Sequence, residues 1–307
     1  MAQLAGVHQT YMDTTRREDL LDRIADISPD QNYLSTVLGN VPVSQTLHEW
    51  TEYYQARPTS NSTSPEGDDN TFSDLSVPTK KNNIAQIIKE VFAVSETDVV
   101  VNKVSPKDAY AREMGWAMRR WKNKLEYAIL RGTKASGSSG VAREMDGIRN
   151  IVATDGRYTA RTSASSFSEQ EFRDIMTESW NQTDEFLVDL VLMTGRRKGD
   201  VAAFFTTSSP RTIPADDKRL VQALDVIESD YGTMVEVRAH KDMPTDGNGG
   251  EVLGIRKNLC KIGYLRRPKH VPNGVTGDSQ KGHIVGEATV QVDTARGMVL
   301  RSYAATE

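Results

Sequence analysis

Residues 51–76 constrain the fold of this chain more than any other stretch. They are rich in Ser, Thr, Asn, Pro and Gly and lie between two strand-like segments, Thr46-Leu47-His48-Glu49-Trp50 and Val77-Pro78-Thr79. The middle of the stretch, Pro65-Glu66-Gly67-Asp68-Asp69-Asn70-Thr71-Phe72-Ser73, offers no apolar face with which the loop could anchor on itself. A polar segment of this length inside a compact chain is either functional or disordered. It must therefore be flexible or be held by something outside its own domain.

The rest of the chain can fold around such a loop. With 307 residues, 37% of them hydrophobic, it can bury the core of one large or two moderate domains. A net charge of -4 argues against a protein that coats nucleic acid, which needs a clustered basic surface. Five scattered His and the single Cys260 exclude a disulfide framework and a cysteine-rich zinc site. A lone thiol suits a reducing cytoplasm. No apolar run approaches the ~20 residues of a membrane helix, and the polar N-terminus has no secretory core. The expectation is a soluble intracellular product, for which Asn61-Ser62-Thr63 is a glycosylation sequon in form only.

Periodicity orders the remainder. Residues 1–17 read as an arm, and Leu20, Leu21, Ile24 and Ile27 follow at helical spacing until Pro29. Ile84–Val101 contains strand and helix pieces that the pattern does not separate. The clearest element is a helix over 106–131, in which Met114, Met118, Trp121, Leu125, Ala128 and Ile129 share one face. Pro106 suits its first turn and Gly132 its end; at 1.5 Å per residue it runs roughly 40 Å. The other face carries Arg112, Arg119, Arg120, Lys122 and Lys124, which read either as a solvated face or as a surface turned to another subunit or to DNA. Ser168 to Glu171 fits a capping box opening a helix that runs to Trp180. Phe186–Met193 reads as a buried strand, Lys198–Phe205 as a short helix, and Val226–Val237 as a hairpin around Asp230-Tyr231-Gly232. His283–Leu300 reads as strand, turn, strand, closing the chain as a hairpin. The class is α+β without an internal repeat.

No catalytic constellation emerges. Gly277-Asp278-Ser279-Gln280-Lys281-Gly282-His283 has phosphate-loop glycines, but His283 stands where the lysine belongs. Gly247-Asn248-Gly249-Gly250 lacks a dinucleotide fingerprint and reads as a loop tip. Asp216-Asp217 and Glu228-Ser229-Asp230 fit solvated turns better than a cation site. Lys80-Lys81 and Arg266-Arg267-Pro268-Lys269-His270 could meet phosphate, carboxylates or solvent.

Set in order, a series of segments resembles the major capsid proteins of tailed double-stranded-DNA bacteriophages. They include Ile27-Ser28-Pro29, Tyr33-Leu34-Ser35, Thr46-Leu47-His48-Glu49-Trp50, Glu66-Gly67-Asp68-Asp69, Pro78-Thr79 and Glu126-Tyr127-Ala128-Ile129-Leu130. They continue through Ala142-Arg143-Glu144-Met145-Asp146-Gly147, Asp225-Val226-Ile227-Glu228-Ser229-Asp230-Tyr231-Gly232-Thr233 and Tyr264-Leu265-Arg266. Each is weak alone, but the order spans roughly residues 20–303.

The resemblance implies a Hong-Kong-97-like α+β fold. It places an N-terminal arm and short helices at 1–44, an extended loop at 45–80, and a peripheral domain with its spine helix (106–131) at 81–147. An axial domain at 148–260 and a return to the peripheral domain with C-terminal strands at 261–307 complete it. It implies a structural protein without enzyme activity or cofactor, self-assembling into pentamers and hexamers of an icosahedral head. That head encloses double-stranded DNA without sequence-specific binding or membrane contact, and is built in the host bacterial cytoplasm. Loop residues Glu49, Trp50, Glu66, Asp69 and Phe72 would meet other subunits, and Arg112, Arg119, Arg120 and Lys124 would face subunits or DNA.

Two departures from relatives matter. The match begins near residue 20, which implies a separate scaffolding protein, alongside a portal. No lysine lies between Trp50 and Val77, so covalent crosslinking from this loop is not carried over, and noncovalent contacts or a cement protein would hold the shell. An encapsulin-like compartment, a decoration or tail-tube protein, and a metal-dependent enzyme using Glu228 and Asp230 are the rival readings.

Overall fold

The structure is a computed structural model that describes residues 32–55, 57–58, 63–69, 77–101, 108–161, 167–183, 188–208, 225–245, 250–274 and 277–303. The expected arm at 1–17, the helix at 20–27, Pro106, Phe72, Phe186, Asp216-Asp217 and Gly247–Gly249 lie outside those residues.

The chain enters through a single helical turn, α1 (Leu34–Val37), and a short strand, β1 (Gly39–Pro42). β2 (Leu47–Glu52) and β3 (Thr79–Ile84) then pair antiparallel, from Leu47 opposite Ile84 to Glu52 opposite Thr79. The two segments predicted to flank the polar loop thus form its root. The Ile/Val-rich stretch resolves into β4 (Gln86–Ser95) and a helical turn, α2 (Glu96–Val100). In β4 exposed and buried residues alternate, as they must in a strand with one covered face.

The long helix is α3 (Ala109–Arg131), and it starts later than the sequence pattern suggests. Asp108 is its N-cap, its carboxylate accepting from the Ala111 N–H at 2.9 Å. Gly132 closes it, its N–H bonding to the Ala128 carbonyl at 3.0 Å. Ala117, Trp121, Leu125, Ala128 and Ile129 are buried, so the predicted face is the core face. Then follow α4 (Ile148–Asp155), β5 (Arg157–Arg161), α5 (Glu169–Thr183), β6 (Leu190–Met193), α6 (Gly195–Ser208), β7 (Val226–Glu228), β8 (Met234–Ala239) and β9 (Val252–Ile255). The chain ends in β10 (Cys260–Pro272), β11 (Ser279–Val292) and β12 (Val299–Tyr303).

Two larger sheets result, a four-stranded one in the order β1-β10-β11-β4 and a six-stranded one in the order β5-β12-β9-β6-β8-β7. Helix α3 covers one face of the first, with Trp121, Leu125 and Ile129 packed against Ile88, Phe92, Ile284 and Ala288. The central strands of the second sheet, β6, β9 and β12, are buried on both sides. Leu190, Leu192, Leu253 and Leu300 join the α3 core, whereas Val191, Met193, Val252 and Val299 pack with α5 and α6. This two-sided burial explains the continuous apolar run of β6.

Three sequence expectations are met in detail. The capping box forms, with the Ser168 N–H donating to Glu171 at 3.0 Å and the Glu171 N–H to the Ser168 hydroxyl at 3.3 Å. Ser168→Ala should cost about 1 kcal/mol in subunit stability, read as a lower urea midpoint at unchanged slope. The β7–β8 hairpin turns where predicted, with Gly232 at φ +75°, a conformation that favours glycine. The helix expected at 198–205 exists but is longer, at Gly195–Ser208.

The closing hairpin is a correction. β11 pairs with β10 and β4, while β12 leaves for the six-stranded sheet, parallel to β5 and antiparallel to β9. The turn at Ala295–Gly297 is real, closed by the Met298 N–H on the Ala295 carbonyl at 3.0 Å, but the segments on either side of it pair elsewhere. The Asp293 N–H bonds to the Leu259 carbonyl, and the Met298 carbonyl accepts from Arg157.

Candidate functional site

The loop root is bound firmly to its own chain. Thr294 donates to Glu52 at 2.5 Å, and Arg296 approaches the same carboxylate at 3.6 Å. The Arg296 guanidinium also lies 4.1 Å from the Tyr54 ring, whose hydroxyl donates to the Gln182 carbonyl. Lys81 pairs with Asp155 at 2.8 Å, and His48 meets Gln291 at 2.6 Å. Asn83, fully buried, donates to the Val290 carbonyl and accepts from the Asp146 N–H. Between root and α4 lies a cleft of about 280 Å³ lined by Trp50, Lys80, Lys81, Lys134, Asp146 and Asp155. Burial pushes the Asp146 carboxyl up, opposed by the Asn150 amide and the Lys134 charge.

The loop residues singled out in the sequence are placed unequally. Glu49 pairs with Lys80 across the β2–β3 ladder at 2.5 Å. Trp50 lies 5.7 Å from the His48 ring, and its indole nitrogen is enclosed with no acceptor among the described residues. Glu66 and Asp69 are exposed on the loop, around Gly67 at φ +85°. The root is thus ordered by intrachain polar contacts, and the acidic residues Glu66, Asp68 and Asp69 beyond it are exposed.

On α3, Arg112 stacks over Trp116 at 5.1 Å and lies 3.7 Å from Glu113. Arg120 and Lys124 converge on one carboxylate, Glu90 of β4, with Arg120 at 3.5 Å. Arg119 is exposed on the same helix. Arg112, Arg120 and Lys124 thus each have a partner on the same chain.

Sequence reasoning missed a junction at the end of α3. Glu126 is fully buried, and its carboxylate accepts from the Leu34 N–H at 2.6 Å, the Ser35 N–H at 2.9 Å and His240 at 3.1 Å. The other His240 nitrogen accepts from the Asp242 N–H, which fixes the tautomer that donates to Glu126. Beside it the Tyr33 hydroxyl donates to Glu236 at 2.7 Å. Burial opposes ionisation of Glu236, but Tyr33, Arg238 and Lys257 more than offset it and hold the carboxyl down at about 2. The spine helix, the first helical turn and the six-stranded sheet are joined there.

Among the described residues no three His, Cys, Asp or Glu gather at metal-binding distance. Asp230 lies 3.6 Å from Arg173, and Gly277 leads into a strand where a phosphate loop needs a helix. Cys260 is buried, and desolvation, with Asp189 and Asp293 nearby, pushes its thiol up. No described helix is long and apolar enough to cross a membrane.

The architecture has solved counterparts. The capsid protein of cyanophage A-1(L) superposes at a TM-score of 0.71 with 10% identity, covering 97% of this chain and all of that one. The capsid protein of Myoviridae phage XM1 gives 0.62 with 11% identity over 93% and 96% of the two chains. The SrpI encapsulin of Synechococcus elongatus PCC 7942 gives 0.59 with 12% identity over 95% and 94%. At such identities these likenesses establish the fold, the tailed-phage capsid fold, which encapsulins share. No curated protein matches the chain. The family itself is settled by a match to the sequence model described as SU10 major capsid protein, over residues 6–301. This chain belongs to the SU10 major capsid protein family of bacteriophages.

Proposed function

We propose that copies of this chain assemble into pentamers and hexamers that close an icosahedral phage head around double-stranded DNA. The family match over residues 6–301 is the observation that carries this reading, and it favours a phage head over an encapsulin compartment. The four-stranded sheet with α3 would form the peripheral body and the six-stranded sheet the axial body. Glu66 and Asp69 would engage a neighbouring subunit. A separate scaffolding protein, a portal and a cement protein are the partners this assembly would use, in the host bacterial cytoplasm. Contacts that are individually weak suffice, because each subunit engages several neighbours at once. The net charge of -4 suits a wall that does not grip its DNA.

Negative-stain electron microscopy of the full chain, expressed with and without the neighbouring scaffold gene, tests the reading. Closed shells are expected, and a strictly monomeric protein under both conditions overturns it. Deleting residues 59–74, beyond the bonded root, should leave a subunit that melts like the parent yet forms no shells. Normal particles from that deletion would remove the loop from assembly.

A further inference from the structure

Helix α3 turns one side to the four-stranded sheet and the other away from it. At steps of three and four residues, Arg112, Trp116, Arg119, Asn123, Tyr127 and Arg131 line the side opposite Trp121 and Leu125, with Arg120 and Lys124 beside them. Arg119, Arg120, Lys124, Tyr127 and Arg131 are exposed. The row spans roughly 29 Å at 1.5 Å per residue. Residues 112–131 hold six cations and two carboxylates, and one of the two, Glu126, is buried at the α1 junction. The other, Glu113, lies beside Arg112, while Arg120 and Lys124 share Glu90 of β4. Positive charge therefore exceeds negative along this face. A chain of net charge -4 thus carries, locally, the clustered basic surface that its overall charge argues against.

Two of the guanidinium groups are steadied by aromatic rings. Arg112 lies 5.1 Å from the centre of the Trp116 ring, and Arg131 lies 5.4 Å from that of Tyr127. A guanidinium stacked by its face keeps its N–H edge for oxygen acceptors, which suits phosphate. The sequence leaves open whether these cations meet another subunit or DNA, and the make-up of the face decides between them. Protein interfaces are apolar and poor in charge at their centre. Here cations run from one end of the row to the other, and both of its aromatic rings are stacked with arginine. Such a surface fits a uniformly charged polyanion. We infer that the outer face of α3 lies along the phosphate backbone of duplex DNA, an inference that rests on the head reading above for the DNA it meets. Contacts to phosphate carry no base information, so the face holds DNA without selecting its sequence.

Binding of a random-sequence DNA duplex by the disassembled full-length chain, measured across a salt series, tests it. The variant Arg119→Gln/Lys124→Gln/Arg131→Gln removes three exposed charges from the face, and Lys89→Gln/Arg267→Gln/Lys269→Gln removes as many from the four-stranded sheet. All six side chains are exposed, so both variants should melt like the parent. The α3 variant should bind about tenfold or more weakly at low salt, with a slope of log K against log salt shallower by about 2–3. The sheet variant should stay within about twofold of the parent. Parental DNA binding by the α3 variant would overturn the inference. Equal losses in both variants would assign binding to overall charge and overturn it as well. Parental DNA binding together with loss of shells would assign the face to another subunit, with the same consequence. Because binding is read on disassembled protein, absence of shells from the parent chain would overturn the head reading alone.

Discussion

Trp121→Ala should destabilise the isolated subunit by about 3–5 kcal/mol, the range for removing a fully enclosed aromatic side chain. Trp121 is 2% exposed and lies between the spine helix and the four-stranded sheet, and its indole N–H donates to the Ile88 carbonyl at 2.9 Å. The ring fits because its partner strand has no side chain beneath it: a Cβ on Gly286 would come within 2.7 Å of the indole. Truncation therefore removes packing on both sides, opens a cavity that neither β11 nor α3 can collapse into, and orphans a carbonyl. Urea unfolding of the disassembled subunit should show a lower midpoint at unchanged slope. An unchanged midpoint would mean that the indole does not hold helix to sheet.

How much of this was legible depended on whether a signal was local. The α3 face could be read because Met118, Trp121, Leu125 and Ile129 repeat at helical spacing whatever they pack against. The capping box at Ser168 and the turn at Gly232 are likewise written into four or five consecutive residues. Strand β10 was not legible. Arg266-Arg267-Pro268-Lys269 looks like a basic loop, but the ladder accommodates it by register shifts between Tyr264 and Arg266 and between Arg266 and Lys269, where a proline is tolerated. The destination of β12 was equally hidden. The segment after the turn at Ala295–Gly297 reads as a strand, but no residue there states which sheet it will join.

The same limit applies to the surfaces. Arg120 and Lys124 look unpartnered in the sequence, but the fold sets Glu90 of β4 beside both. Lys89 and Lys269, far apart in sequence, become one patch only through the β10–β11–β4 register.

Glu126→Ala should cost on the order of 4 kcal/mol, although the sequence presents Glu126 as one more polar helix residue. In the last turns of α3, Leu125, Glu126, Ala128, Ile129 and Leu130 are all buried, so the buried stripe widens and leaves only Tyr127 and Arg131 exposed. A carboxylate persists there because both of its oxygens are occupied by donors, the Leu34 and Ser35 N–H groups and the imidazole of His240. Charge-assisted bonds of this kind are worth roughly 1.5–3 kcal/mol each, and buried donors left without an acceptor cost about 1–3 kcal/mol each. The loss should be local before it is global, since two of the three donors are backbone groups of the turn at Leu34. Hydrogen exchange of Leu34 and Ser35 should accelerate in the variant while the amides of β6 and β9 remain protected. Glu126→Gln should recover only part of the loss, because its amide turns a donor toward another donor. If the alanine variant unfolds within about 1 kcal/mol of the parent, the carboxylate does not hold these three parts of the subunit together.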